Sequence, residues 1–370
     1  MAGLYVHIPF CARRCIYCGF FSTVRQEEAA RYVRTLCREL ELRRDYLEGA
    51  PVRTIYFGGG TPSRLTAEQI GMVLETVRNV YGLSHLEELT VECNPDDITP
   101  DYVSALVRLG VNRVSMGVQT FNDDLLRFMH RRHTAAQALD AVRICRESGI
   151  TNISIDLMYG LPDQTPDMFR FDLETALKAQ VQHISSYCLS YEEGTPMQTL
   201  RDLGKLQPAD DELCSRMFTL MCRILREGGF DHYEISNFSL PGYQSRHNSS
   251  YWDGTPYLGV GAAAHSYNGQ SRQWNPSDLD TYMQSIEKGT PAFEKETLTE
   301  QDLFNEKVML SLRTSQGLNL QTLSATQQQD FLTSAKPFLE RGQLIKENSS
   351  IRLSESALFI SDTIISSLFE

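Results

Sequence analysis

The sequence predicts an α/β fold: a partial, TIM-like (β/α)6 barrel joined to a smaller α+β C-terminal domain that ends in a winged-helix-like module. Three observations predict it. Short β-rich runs alternate with amphipathic helical stretches over about the first 190 residues, which implies parallel strands joined by crossover helices. Six such units fall short of the eight, over ~250 residues, that a closed barrel needs. After about residue 205 the alternation stops, and from about residue 300 the order becomes helix, helix, short hairpin, helix.

The expected strands are Leu4–Ile8, Val52–Phe57, Leu89–Glu92, Arg113–Gly117, Asn152–Met158 and His183–Leu189. Helical patterns between them cover Glu27–Leu47, Thr66–Val80, Pro100–Leu109, Thr134–Ser148 and Pro166–Ala179. Thr66 followed three residues later by Gln69 is a capping-box pattern, and Gly110 and Gly149 close helices where a left-handed residue is useful. A helix near Asp210–Glu227 then runs into Gly228-Gly229. The hairpin is expected over Leu344–Leu353. These signals divide the chain into a core domain over 1–232 and a C-terminal domain over 233–370, with the winged-helix-like part at about 300–370.

With 370 residues the chain can bury one large core and a second, smaller one. No run approaches the ~18 apolar residues of a membrane-spanning helix, and MAGLYVHIPF lacks the basic start and long apolar stretch of a secretory signal, so the cytoplasm is the expected location. A net charge of −12 argues against broad nucleic-acid affinity. The densest basic patch is Arg127 to Arg132. Residues 300–370 hold nine acidic against six basic side chains, which favours packing or partner contact over DNA binding. Of nine cysteines, three lie within eight residues; Cys37, Cys93, Cys145, Cys188, Cys214 and Cys222 are scattered among apolar neighbours and read as small core residues.

Cys11, Cys15 and Cys18 carry the strongest chemical signal. A saturated iron–sulfur cubane uses four thiolates, so three on one loop hold three irons and leave the fourth open. An open iron can bind the amino and carboxylate groups of S-adenosylmethionine (SAM). The alternatives on spacing alone are three unrelated cysteines or a zinc knuckle, for which His7 could supply a fourth ligand. Gly58-Gly59-Gly60-Thr61-Pro62 follows a strand directly and lets backbone N–H groups approach a polar ligand. It lacks the Gly-Lys-Ser/Thr ending of a phosphate loop.

Together, YVHIPFCxxxCxYC, GGGTP, VECNP, GVQTF and DLMYGLP, running in order from Tyr5 to about Tyr267, resemble the radical SAM superfamily. Within it they resemble the oxygen-independent coproporphyrinogen oxidases (HemN) and their relatives. The resemblance implies a 4Fe–4S cluster on Cys11, Cys15 and Cys18. It places Tyr5 and Tyr17 beside the cofactor, Gly59, Gly60 and Thr61 at its methionyl end, and Glu92, Gln119, Arg131 and Asp156 in the rest of the SAM pocket.

Two departures point to the haem chaperone (HemW-like) branch. Phe20 stands where the oxidases carry a fourth cysteine, and only ten residues precede Cys11 where they have a long extension. His247-Asn248-Ser249-Ser250-Tyr251-Trp252 also matches that branch's HNxxYW pattern, which makes His247 the candidate haem ligand; on spacing alone His247 could equally brace a loop. The glycine-rich stretch ending at His265 lacks the βαβ setting of a dinucleotide site. The resemblance implies a haem carrier that passes its cargo to apo-haemoproteins such as respiratory enzymes, with homodimer formation and peripheral membrane contact. The competing expectation is a radical enzyme on a tetrapyrrole, either decarboxylating coproporphyrinogen III or modifying haem.

Overall fold

The computed structural model describes residues 1–369. Six parallel strands, β1 (Ala2–Ile8), β2 (Val52–Gly59), β3 (Glu88–Cys93), β4 (Arg113–Gln119), β5 (Asn152–Tyr159) and β6 (His183–Cys188), pair in sequential order. Each runs near its expected place. Crossover helices such as Ala29–Leu42, Ala67–Tyr81 and Ala135–Glu147 join them. Thr66 and Gln69 form the capping box, and Gly110 and Gly149 adopt φ of +91° and +103°.

Alternation across each strand sorts the residues. Leu4, Val6, Ile8, Ile55, Phe57, Leu89, Val91, Val114, Ile153, Ile155 and Ile184 face the helices and form the main core. The opposite faces carry Tyr5, His7, Thr54, Tyr56, Thr90, Glu92, Arg113, Ser115, Ser154, Asp156, His183 and Ser185, so the barrel has a polar interior. The pairing register places Tyr5 beside Tyr56, Thr90 beside Arg113 and Ser154 beside His183.

The sheet extends past both barrel edges. Strand β7 (Asp231–Glu234) pairs with β8 (Asn237–Ser239), which lies antiparallel to β6. On the other edge β9 (Tyr257–Val260) runs parallel to β1 and continues through β10 (His265–Tyr267), β11 (Ser271–Trp274) and β12 (Glu294–Thr297) to make twelve strands. The division expected between residues 232 and 233 falls inside β7, and the sheet runs on through it. Glu39 ties the β9 edge to the helix Ala29–Leu42. Its carboxylate accepts from Gly261 N at 2.8 Å, Tyr282 Oη at 2.6 Å and Asn275 Nδ2 at 2.8 Å. The glycine-rich stretch around Gly261 is therefore a packing device.

The helices Glu300–Leu312 and Ala325–Glu340 pack with β13 (Leu318–Asn319), β14 (Leu344–Glu347) and β15 (Ser350–Leu353) around a separate core that includes Phe304, Val308, Phe331 and Ile351. The hairpin lies where the sequence places it, and β13 adds a third strand. No helix among the described residues is long and apolar enough to cross a membrane.

Candidate functional site

The chain leaves β1 at Ile8 and enters the loop that holds Cys11, Cys15 and Cys18, so the three thiols sit at the C-terminal mouth of the barrel, each part-exposed. The loop is pinned on two sides. Cys11 N donates to Thr23 O at 2.8 Å, and Ile16 packs with Leu125, Leu126, Met129 and Met197. Burial pushes the Cys11 and Cys18 thiols up, against the opposing influence of the Thr61 hydroxyl on Cys11 and of the Phe20 N–H on Cys18. Both are therefore protonated at neutral pH until a metal displaces the proton.

The zinc alternative fails on geometry. Both His7 nitrogens are engaged, Nδ1 with Tyr5 Oη and Nε2 with Phe21 O, each at 3.1 Å. Burial lowers this imidazole to about 4, so it is neutral and enclosed. Among the described residues no three His, Cys, Asp or Glu side chains converge on a position for a single metal ion.

Gly59 and Gly60 end β2 against the loop. A Cβ on Gly59, whose φ is +112°, would lie 2.6 Å from His7 Cε1, and one on Gly60 would lie 2.7 Å from Pro9 O and 3.1 Å from Cys11 Sγ. Glycine is required at both for backbone and cysteine loop to approach. Thr61 Oγ1 stands 3.5 Å from Cys11 Sγ and accepts from Asn94 Nδ2 at 3.4 Å. Glu92, half-buried at the end of β3, accepts from Tyr56 Oη at 2.7 Å and Gly59 N at 3.1 Å; burial raises its carboxyl to about 7.

Arg131 crosses the same mouth. It donates through Nη1 to Cys15 Sγ at 3.4 Å and through Nη2 to Asn94 Oδ1 at 2.8 Å, with a further contact from Nη2 to Gly117 O. Its Nε is buried without a partner, an orphan donor within the site's own residues. The β-bulge at the end of β4 gives Gln119 a φ of +71° and turns it into the mouth beside Gly117. Asp156 lies on β5, and burial raises its carboxyl to about 6 against the opposing influence of the Ser185 and Ser115 hydroxyls. Tyr17 lies beside Cys15 and Arg131. Tyr5 sits deeper, stacked on Tyr56 at 6.2 Å between ring centroids. Cys11, Cys15, Cys18, Tyr17, Gly59, Gly60, Thr61, Glu92, Gln119, Arg131 and Asp156 are thus gathered at one mouth. Thiols, an unpartnered guanidinium N–H, two half-buried carboxylates and a glycine cradle suit a cluster and a small zwitterionic, cationic ligand.

His247 is not among them. It lies at the opposite, N-terminal end of the barrel, on the helix Arg246–Trp252, whose first N–H groups donate to the Glu88 carboxylate at 2.9 Å. Its Nδ1 contacts Thr54 Oγ1 at 2.8 Å, its Nε2 contacts Tyr251 Oη at 2.9 Å, and its ring stacks on Tyr56 at 5.1 Å. With 0% exposure and both nitrogens occupied, it cannot meet a haem iron in this conformation. In this conformation His247 plugs the barrel floor, the bracing role that its spacing equally allows.

One further expectation changes. Within the basic patch, Arg131 enters the site and Arg132 pairs with Asp96 and Asp97. Cys188, expected in the core, is exposed at the end of β6, while Cys93, Cys145, Cys214 and Cys222 are buried and Cys37 is half-buried. Asn94, which links Thr61 to Arg131, was not singled out from the sequence although it stands in VECNP. Arg113 was also missed. It is 1% exposed in the barrel interior, with Nε and Nη1 lacking partners; an arginine at an inward strand position was its only signal.

A partial parallel barrel with three thiols, a glycine cradle and facing carboxylates at its C-terminal mouth defines a protein of the radical SAM class. The radical SAM superfamily pattern matches residues 5–176, and that of the HemN C-terminal domain matches residues 298–360. The class implies a 4Fe–4S cluster and SAM. The chain is 36% identical to the haem chaperone HemW of Lactococcus lactis over 318 residues, covering 85% of this chain and 82% of that one. It is 33% identical to the HemW of Mycobacterium tuberculosis, covering 99% and 94%. The chain belongs to the HemW family. Its fold superposes on the coproporphyrinogen III oxidase HemN of Escherichia coli with a TM-score of 0.86 at 24% identity, over 100% of this chain and 90% of that one.

Proposed function

We propose that this chain is a haem chaperone: it binds haem, holds a 4Fe–4S cluster with SAM, and delivers haem to apo-haemoproteins, respiratory enzymes included. The observation that carries this reading is the relationship to curated haem chaperones, which extends over 99% of the chain in one case. Phe20, in the place of a fourth cysteine, supports it over the oxidase reading.

In this reading Cys11, Cys15 and Cys18 would ligate the cluster, whose chemistry when bound would be to hold SAM and supply it an electron. Gly59, Gly60 and Thr61 would hold the methionyl end, Arg131 Nε would offer a donor to its carboxylate, and Glu92 and Asp156 would supply acceptors elsewhere in the pocket. Gln119 and Tyr17 close the sides, and Tyr5 supports the floor through Tyr56. His247 would become a haem ligand only if the helix Arg246–Trp252 swung out from beneath the barrel, breaking its bonds to Thr54, Tyr251 and Glu88.

The test is a pair of assays on anaerobically reconstituted protein. Haem added to the chain should give a saturable Soret shift and pass on to an apo-haemoprotein. With SAM, reductant and coproporphyrinogen III, no protoporphyrinogen IX should form. Robust turnover would replace the carrier reading with an enzymatic one. Cys15→Ala should lose most iron and acid-labile sulfide; a full cluster spectrum in that variant would remove the ligand assignment.

A further inference from the structure

The most exposed large apolar side chain among the described residues lies beside the cluster cysteines. Phe20, two residues past Cys18, is 70% exposed, and Val24 on the same segment is 58% exposed. Phe20 thus sits at the exit of the cluster loop. Arg13 and Arg14 lie on the other limb of that loop. Both are exposed, and neither forms a salt bridge or hydrogen bond. Nearby arginines are committed: Arg131 to Cys15 and Asn94, Arg132 and Arg64 to Asp97.

An exposed phenyl face and two unpaired guanidiniums on one short loop, on a chain of net charge −12, complement a flat apolar molecule that carries carboxylates. We propose that the outer face of the cluster loop is the docking platform for the tetrapyrrole, with Phe20 stacking on the macrocycle and Arg13 and Arg14 taking its propionates. This rests on the haem-carrier reading and gives that cargo a place beside the cluster, away from His247. A second copy of the chain fits the face less well, because pairing through the same loop brings four guanidiniums together. The sealed position of His247 leaves the initial capture of haem to other groups, and this platform supplies them.

The test uses full-length, cluster-loaded chain with SAM under anaerobic conditions. Haem binding is followed by the Soret band and metal-free protoporphyrin IX by fluorescence. Phe20→Ser should weaken both by about 10-fold or more, the worth of an aromatic side chain's buried area, and Phe20→Trp should restore them. A double variant, Arg13→Gln with Arg14→Gln, should bind several-fold more weakly and lose most of the salt dependence. Protoporphyrin dimethyl ester should bind the unmodified chain as weakly as the diacid binds the double variant. Iron and sulfide content should not change.

If the unmodified chain shows no saturable haem binding, the carrier reading itself fails. If it binds haem and Phe20→Ser stays within about two-fold, the platform is overturned while the carrier reading stands. Haem affinity unchanged in Phe20→Ser, together with a loss of dimer in sedimentation or of pelleting with phosphatidylglycerol vesicles, assigns the face to a second copy or a membrane. Either result likewise overturns the platform.

Discussion

Arg131 donates to the Cys15 sulfur at 3.4 Å while its second terminal nitrogen holds Asn94 at 2.8 Å, so one guanidinium joins the cluster loop to the end of β3. With its Nε buried and unpartnered, this side chain is set to receive an acceptor from a ligand. Arg131→Met should keep most of its iron yet bind SAM about 10- to 100-fold more weakly, the loss of a charge-assisted bond in an enclosed site. Equilibrium dialysis of reconstituted protein measures it. Affinity within two-fold of the unmodified chain would detach Arg131 from the cofactor.

Asp156 predicts a pH dependence. Burial raises its carboxyl in the folded protein to about 6, above its ordinary value of 3.8. The native state then binds the proton more tightly than the unfolded chain does. Stability is highest below pH 3.8 on this account, declines as pH rises towards 6, and stays reduced above it. Asp156→Asn should therefore stabilise the cluster-free protein at pH 8 by about 1–2 kcal/mol after discounting for its partial exposure, with little effect near pH 4. Urea denaturation at both pH values is the measurement; equal effects at the two would refute the assignment.

His247 should act first as a structural plug. Removing its ring leaves a cavity against Tyr56 and strips the Thr54 and Tyr251 hydroxyls of a partner. His247→Ala should cost roughly 3 kcal/mol in urea denaturation. A variant as stable as the parent would mean that the barrel floor is looser than this packing indicates. Haem titrations of that variant need the stability measurement beside them.

Gly261 fixes the β9 edge. Its φ is +106°, and a Cβ there would meet His7 O and Tyr32 Oη at 2.6 Å. Gly261→Ala should destabilise the protein by about 3 kcal/mol or more, because backbone strain and overlap act together. Thermal unfolding followed by far-UV circular dichroism reads the loss, and an unchanged transition would contradict the close approach of β9 to β1.

The six barrel strands were legible because each carries an apolar outward face and stops at glycine, proline or capping signals, as Thr66 and Gln69 do before their helix. The mouth was legible because its residues stand in short local motifs at strand ends. Long-range partners were not. Nothing near His247 in sequence announces that Glu88, 159 residues earlier, captures its helix. Nothing around Tyr257–Val260 says that this strand runs parallel to β1. Arg113 escaped for a related reason: alternation marks it as inward-facing but does not reveal that the interior is polar. Cys188 reads as a core thiol by composition, yet the strand ends before its side chain is covered.

His247 and its helix stopper one end of the barrel, so a ligand approaching along the axis from the other side meets the cysteine-bearing end first.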